Sequence, residues 1–325
     1  MPRYKQAMKE AVMDPQDQMR AGDALRQELA RGDVALSGVA PVLSHLLASP
    51  GQALVSEDVL ARMRGMLGDL ARQVIAAHAE FGEKDCHLGH GMQAELAARL
   101  AASGIVVSHC YATAMESQLG ERLEQGGSID QVLTPLLQEL IASPDESTAE
   151  LAMATMSAQA RFVQAQRRMD MSLGELPSEL FLEVLALGRK VCASSQADAY
   201  ERAEQVLRAS YDESVSRLGL LTRLVGGLSG GIRAALDLEH AGLALFATAL
   251  ARTSRQAREL AILSCHERQL VRLALALRSG GLKPEEIARQ FVVIHRDLAV
   301  PQGIEDVAPE EAVALLKGGA AGRGS

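Results

Sequence analysis

The sequence predicts an all-α protein, a HEAT-like helical-repeat array of two related units followed by a C-terminal helical domain. Three observations predict it. Apolar residues recur at helical spacing in every periodic stretch, with no convincing run of alternating strand character; residues 104–111 come nearest, inside helical flanks. The chain is 48% hydrophobic over 325 residues but only 3% aromatic, with no Trp. Its core must then be Leu, Ala, Val and Met, which suits close helix packing better than sheets. Third, the chain nearly repeats itself. Residues 25–50 align without a gap on residues 119–144. Leu25, Leu29, Gly32, Pro41, Leu43, Leu46 and Pro50 meet Leu119, Leu123, Gly126, Pro135, Leu137, Leu140 and Pro144. Repeated Gly and Pro positions fix turns, and helices that bury their faces on neighbours form arrays.

The elements follow in order. Residues 4–13 form a short helix stopped at Asp14-Pro15, and a helix from about Gln16 ends at Gly32, a natural left-handed terminus. Ser37–Ala48 is a short helix closed by Ser49-Pro50, because Pro cannot continue a helix. Ser56 offers an N-cap with Glu57 and Asp58 in the first turn, and Val59, Met63, Met66, Leu67, Leu70, Val74 and Ile75 make one apolar stripe to His78. After a loop at 81–91, Met92–Ala102 and Ile105–Glu124 are helical around Ser103-Gly104. Ile129–Ala142 is the second short helix and Thr148–Met171 the second long one. A new helix starts near Glu179, after Pro177. Gln196–Val225 reads as one long helix, and the glycines at 226–231 as a turn or hinge. Ile232–Arg252, Gln256–Arg278 and Pro284–His295 complete the chain. The division is residues 1–171, with units at about 16–80 and 92–171, and residues 172–325, with a flexible tail from about 317.

Lys and Arg number 33 against 41 Asp and Glu, a net charge of −8. Basic residues are scattered, which disfavours nucleic acid and anionic membrane as partners. A nucleic-acid reading requires Arg161, Arg167 and Arg168 to share a surface with the arginines of 252–258. The first residues lack the apolar run of a signal peptide, and no stretch is long enough to span a bilayer. Four cysteines at irregular spacing suit a reducing, cytoplasmic setting.

One constellation could carry metal chemistry. Cys86, His87 and His90 precede His109 and Cys110, and zinc takes four N or S ligands. No CxxC or HxxxH pair accompanies them, so a polar loop with buried thiols explains the same residues and no cofactor is expected. Motifs of nucleophilic, metal-dependent or dinucleotide enzymes are absent. The expected function is non-enzymatic, the binding of a protein or peptide on helical surfaces. A nucleic-acid binder and a metal-binding helical sensor or enzyme are the alternatives. Nothing in the sequence sets the oligomeric state.

Residues 30–50, 174–181 and 244–262 give this pattern a family likeness. It resembles the alphaproteobacterial proteins grouped as domain of unknown function 2336. The resemblance implies an all-helical, cytoplasmic bacterial protein and transfers no catalytic residue.

Overall fold

A computed structural model describes residues 15–48, 56–82, 86–127, 129–192, 197–228 and 231–321; the side chains of 15–21, 45–48, 86–88 and 319–321 lie outside that description. The expected helix at 4–13, with Ser49 and Pro50, falls outside the described residues. Every regular element described is helical. The helices are α1 (Pro15–Ser37), α2 (Val39–Ala48), α3 (Glu57–Ala79), α4 (Cys86–Ala102), α5 (Gly104–Gly127), α6 (Pro135–Ile141), α7 (Glu146–Arg167) and α8 (Ser178–Cys192). They continue as α9 (Ala197–Ser210), α10 (Arg217–Gly227), α11 (Leu238–Ser254), α12 (Arg258–Ser264), α13 (Leu270–Ser279), α14 (Pro284–Ile294) and α15 (Pro309–Ala321).

Side-chain stripes and caps account for the elements that match expectation. All seven apolar residues of the α3 stripe are buried. Asp145 caps α7 by accepting from Thr148 N at 2.9 Å. Glu286 accepts from Lys283 N at 2.7 Å and holds the start of α14.

Local polar chemistry explains most departures. α1 runs through Gly32 to Ser37 and does not stop there. Gly32 is needed for close approach: a Cβ would lie 2.6 Å from Gln269 Oε1, and Gln269 Nε2 donates to Gly32 O at 2.9 Å. The second short helix is shorter than expected. Asp130 Oδ1 accepts from Val132 N and Leu133 N, and Thr134 caps the helix with Pro135 in its first turn. These side chains satisfy backbone donors outside helical geometry. The expected helix 196–225 is broken at 211–216. Asp212 accepts from Ser214 N at 2.9 Å, and Ser216 from Gly219 N at 3.1 Å. Val206 and Val215, expected on its apolar side, are half or more exposed. His266 Nδ1 accepts from Arg268 N and divides the expected helix 256–278 into α12 and α13. α4 begins at Cys86, inside the expected loop, and α15 continues into the expected flexible tail as far as Ala321.

Two cores organise the chain. One gathers α2, α3, α4, the first half of α5, α8 and Tyr200 of α9. The larger gathers α1, the second half of α5, α6 and α10–α15. α5 serves both: Val106, Val107, Cys110 and Ala114 enter the first, Leu119 and Leu123 the second. Both cores draw residues from either side of residue 171.

The aligned segments agree in part. Leu25 and Leu29 share the larger core with their counterparts Leu119 and Leu123. Leu43 and Leu137 are both buried, in different cores. Val42 is 42% exposed where Leu136 is buried, and residues 35–37 and 39–40 are helical where their counterparts 129–131 and 133–134 are not. Leu43→Ala and Leu137→Ala should each destabilise by about 2–5 kcal/mol, read from denaturant midpoints. A loss under about 1 kcal/mol would show that the site is not closely packed.

Candidate functional site

Of the residues nominated for metal chemistry, His109 and Cys110 do not converge. Cys86 and His87 open α4, with side chains outside the described residues; His90 is exposed one turn on. His109 and Cys110 leave α5 in different directions. Cys110 is fully buried in the first core, where burial pushes its thiol up to about 12. Burial thus disfavours the thiolate, the form that binds metal or attacks. His109 turns Nδ1 to Glu259 Oε1 of α12 at 3.0 Å, and that hydrogen bond holds the Glu259 carboxyl below the usual range. Among the described residues no group of three or more His, Cys, Asp or Glu side chains is placed to hold a metal ion.

A buried ionic cluster lies on the same helix. Glu116 is 4% exposed on α5. Arg217 of α10 donates to its two oxygens at 2.8 and 3.1 Å, and Arg258 of α12 at 2.7 and 2.7 Å. Gln159 of α7 accepts from Arg217 at 3.2 Å, and Arg217 lies over the Phe162 ring, 3.6 Å from its centroid. Thr248 of α11 accepts from Arg258 Nε at 3.1 Å. Burial alone would raise the Glu116 carboxyl, but Arg217 and Arg258 outweigh it and hold it far below the usual carboxylate range. The cluster thus ties α5, α7, α10, α11 and α12 together, and a carboxylate so paired is no proton donor or acceptor. The one available signal was an acid at helical spacing among Ala112, Leu119 and Leu123. Arg258 is withdrawn here, so it cannot join a basic outer face with Arg161, Arg167 and Arg168.

A surface groove lies where α1 meets α2. Val34, Val39, Val42 and Leu43 form one wall, Tyr111 and Met115 of α5 the floor, and Leu263 with His266–Gln269 the far wall. It encloses about 570 Å³. Val34 is 73% exposed and Val42 42% exposed, although both are large apolar residues. Polar groups sit at the edge: Gln118, His266, Glu267 and Arg268. Burial lowers the affinity of His266 for its proton. An apolar floor with a polar rim is the layout of a protein-binding surface.

No family model matches the chain, and neither a curated protein nor a solved structure matches it. Among the described residues no helix is long and apolar enough to cross a membrane.

Proposed function

We propose that this is a non-enzymatic protein–protein interaction or regulatory protein, and that the α1–α2 groove takes an apolar segment of its partner. The observation that carries the reading is the exposure of Val34 and Val42 above an apolar floor. Docking a partner removes that surface from water, at about 25 cal/mol per Å² before the costs of association. A cytoplasmic setting belongs to the same reading. So do a HEAT-like origin of the segments 25–50 and 119–144 and the likeness to domain of unknown function 2336. Leu25, Leu29 and Leu43 support the repeat by sharing burial with Leu119, Leu123 and Leu137.

The test is capture from source-cell extract with the full chain as bait, wild type against Val34→Asp/Val42→Asp. Both positions are exposed, so the variant should keep its helical spectrum and melting temperature. The reading expects a partner held by wild type and lost, by at least tenfold, from the variant. Equal retention by both baits places the binding surface elsewhere.

A further inference from the structure

Beside Arg217, away from the groove, lies a second cavity of about 550 Å³ between α5, α7, the start of α10 and the chain at 168–175. Phe162, Met171 and Leu218 give it apolar walls. Those walls are held before any ligand arrives. Arg217 is locked on Glu116 and Phe162. The chain around Met171 is pinned to α3: Asp69 Oδ2 accepts from Met171 N at 3.1 Å, and Gln73 Oε1 accepts from Leu173 N at 3.0 Å. Gln166 also lines the cavity, but its Oε1 is sealed in packing and takes no part.

Two polar groups of α5 open into this cavity unpartnered. His109 and Thr113 are each 7% exposed and line it one helical turn apart, on one face. Glu259 Oε1 accepts from His109 Nδ1 at 3.0 Å, which fixes the tautomer and leaves the lone pair on Nε2. Thr155, Thr222, Thr248 and Thr253 each donate their hydroxyl to the carbonyl four residues back, and Thr113 does not. Among the described residues nothing hydrogen-bonds His109 Nε2 or Thr113 Oγ1, and neither atom is sealed in packing as Gln166 Oε1 is. A ligand hydroxyl between them can donate to Nε2 and accept from Thr113.

The charged lining calls for an anion. Asp170 already accepts from Arg168 Nε at 2.8 Å, and Glu175 from Arg217 N at 2.7 Å. Arg161 has no ion pair or hydrogen bond among the described residues, and its exposure puts it at the mouth of the cavity. A guanidinium with open donors takes a carboxylate, often through two parallel hydrogen bonds. Apolar walls with a few convergent polar groups are the layout of a small-molecule site.

We infer that this cavity binds a small hydroxylated organic acid, its hydroxyl on His109 Nε2 and Thr113 Oγ1, its carboxylate on Arg161 and its apolar body along Phe162, Met171 and Leu218. The probe is 4-hydroxyphenylacetate. Phenylacetate lacks the hydroxyl. Tyramine keeps it but carries an ammonium, the group that Asp170 and Glu175 would select if they governed the site. The readout is the methyl signal of Met171 in methionine-methyl-labelled full-length protein; Met115, which lines the α1–α2 groove, reports binding there instead. 4-Hydroxyphenylacetate should shift Met171 saturably and leave Met115 unmoved. Phenylacetate and tyramine should each bind about tenfold more weakly, for want of the hydrogen bonds and of the charged contact. Thr113→Val, which keeps the shape of the side chain, should narrow the gap between 4-hydroxyphenylacetate and phenylacetate. Arg161→Gln, an exposed change that should keep the wild-type helical spectrum, should bring 4-hydroxyphenylacetate and tyramine close together. No saturable Met171 shift up to the solubility limit of the probe would overturn the proposal. So would equal binding of phenylacetate, tighter binding of tyramine, a shift of Met115 in place of Met171, or affinities unchanged in Arg161→Gln.

Discussion

Glu116→Gln is expected to cost about 3–5 kcal/mol of stability, because it leaves Arg217 and Arg258 buried without a counter-charge. The amide keeps the shape of the carboxylate, so packing is not the cause. The double variant Glu116→Gln/Arg258→Met should recover part of the loss, since it removes one of the stranded charges. Urea midpoints of the three proteins measure this. The pH dependence has a definite sign. The folded Glu116 pKa is depressed below the ordinary carboxylate value of about 4.3. Its stabilisation is therefore complete above that value and is lost as pH falls through the folded value. Wild type should weaken on acidification, and Glu116→Gln should lack that component. A cost under about 1 kcal/mol would mean that solvent reaches the cluster.

Gly242→Ala should be comparably damaging. Gly242 has φ 70 and bends α11 where it crosses the cap of α6; a Cβ there would lie 2.2 Å from Thr134 Cγ2. With ψ 166 this backbone conformation is essentially open only to glycine and costs a side chain about 1–3 kcal/mol, and overpacking adds about 1–3 kcal/mol. Gly242→Ala/Thr134→Ser removes the methyl that clashes while keeping a hydroxyl cap. It should recover the packing part and leave the conformational part. Thermal unfolding of the pair against wild type separates the two.

What was legible in the sequence follows from how local each cause is. The α3 stripe, the Pro284 helix start and the burial of Leu25, Leu29 and Leu43 rest on periodicity and caps, which neighbouring residues determine. The run 196–225 was misread because its apolar spacing continues across Asp212 and Ser216, whose side chains take over the backbone donors. Gly32 was misread for the opposite reason: its use is contact with Gln269, 237 residues away. The site was less legible than the fold. Glu116, Arg217 and Arg258 meet only in three dimensions. Gln166 is one polar residue among several on α7, and only its surroundings show that its side-chain oxygen lacks a donor. The His and Cys residues at 86–110 drew notice by type, yet His109 and Cys110 face different neighbours. The groove, too, was invisible, since Val34 and Val42 read as ordinary apolar positions of α1 and α2.

Titration calorimetry of the captured partner into the full chain at several temperatures tests the docking claim most directly. Burial of an apolar segment in the α1–α2 groove predicts a negative heat-capacity change that is lost, with the binding, in Val34→Asp/Val42→Asp. Binding whose heat-capacity change is near zero, or that survives unchanged in the variant, would contradict the account.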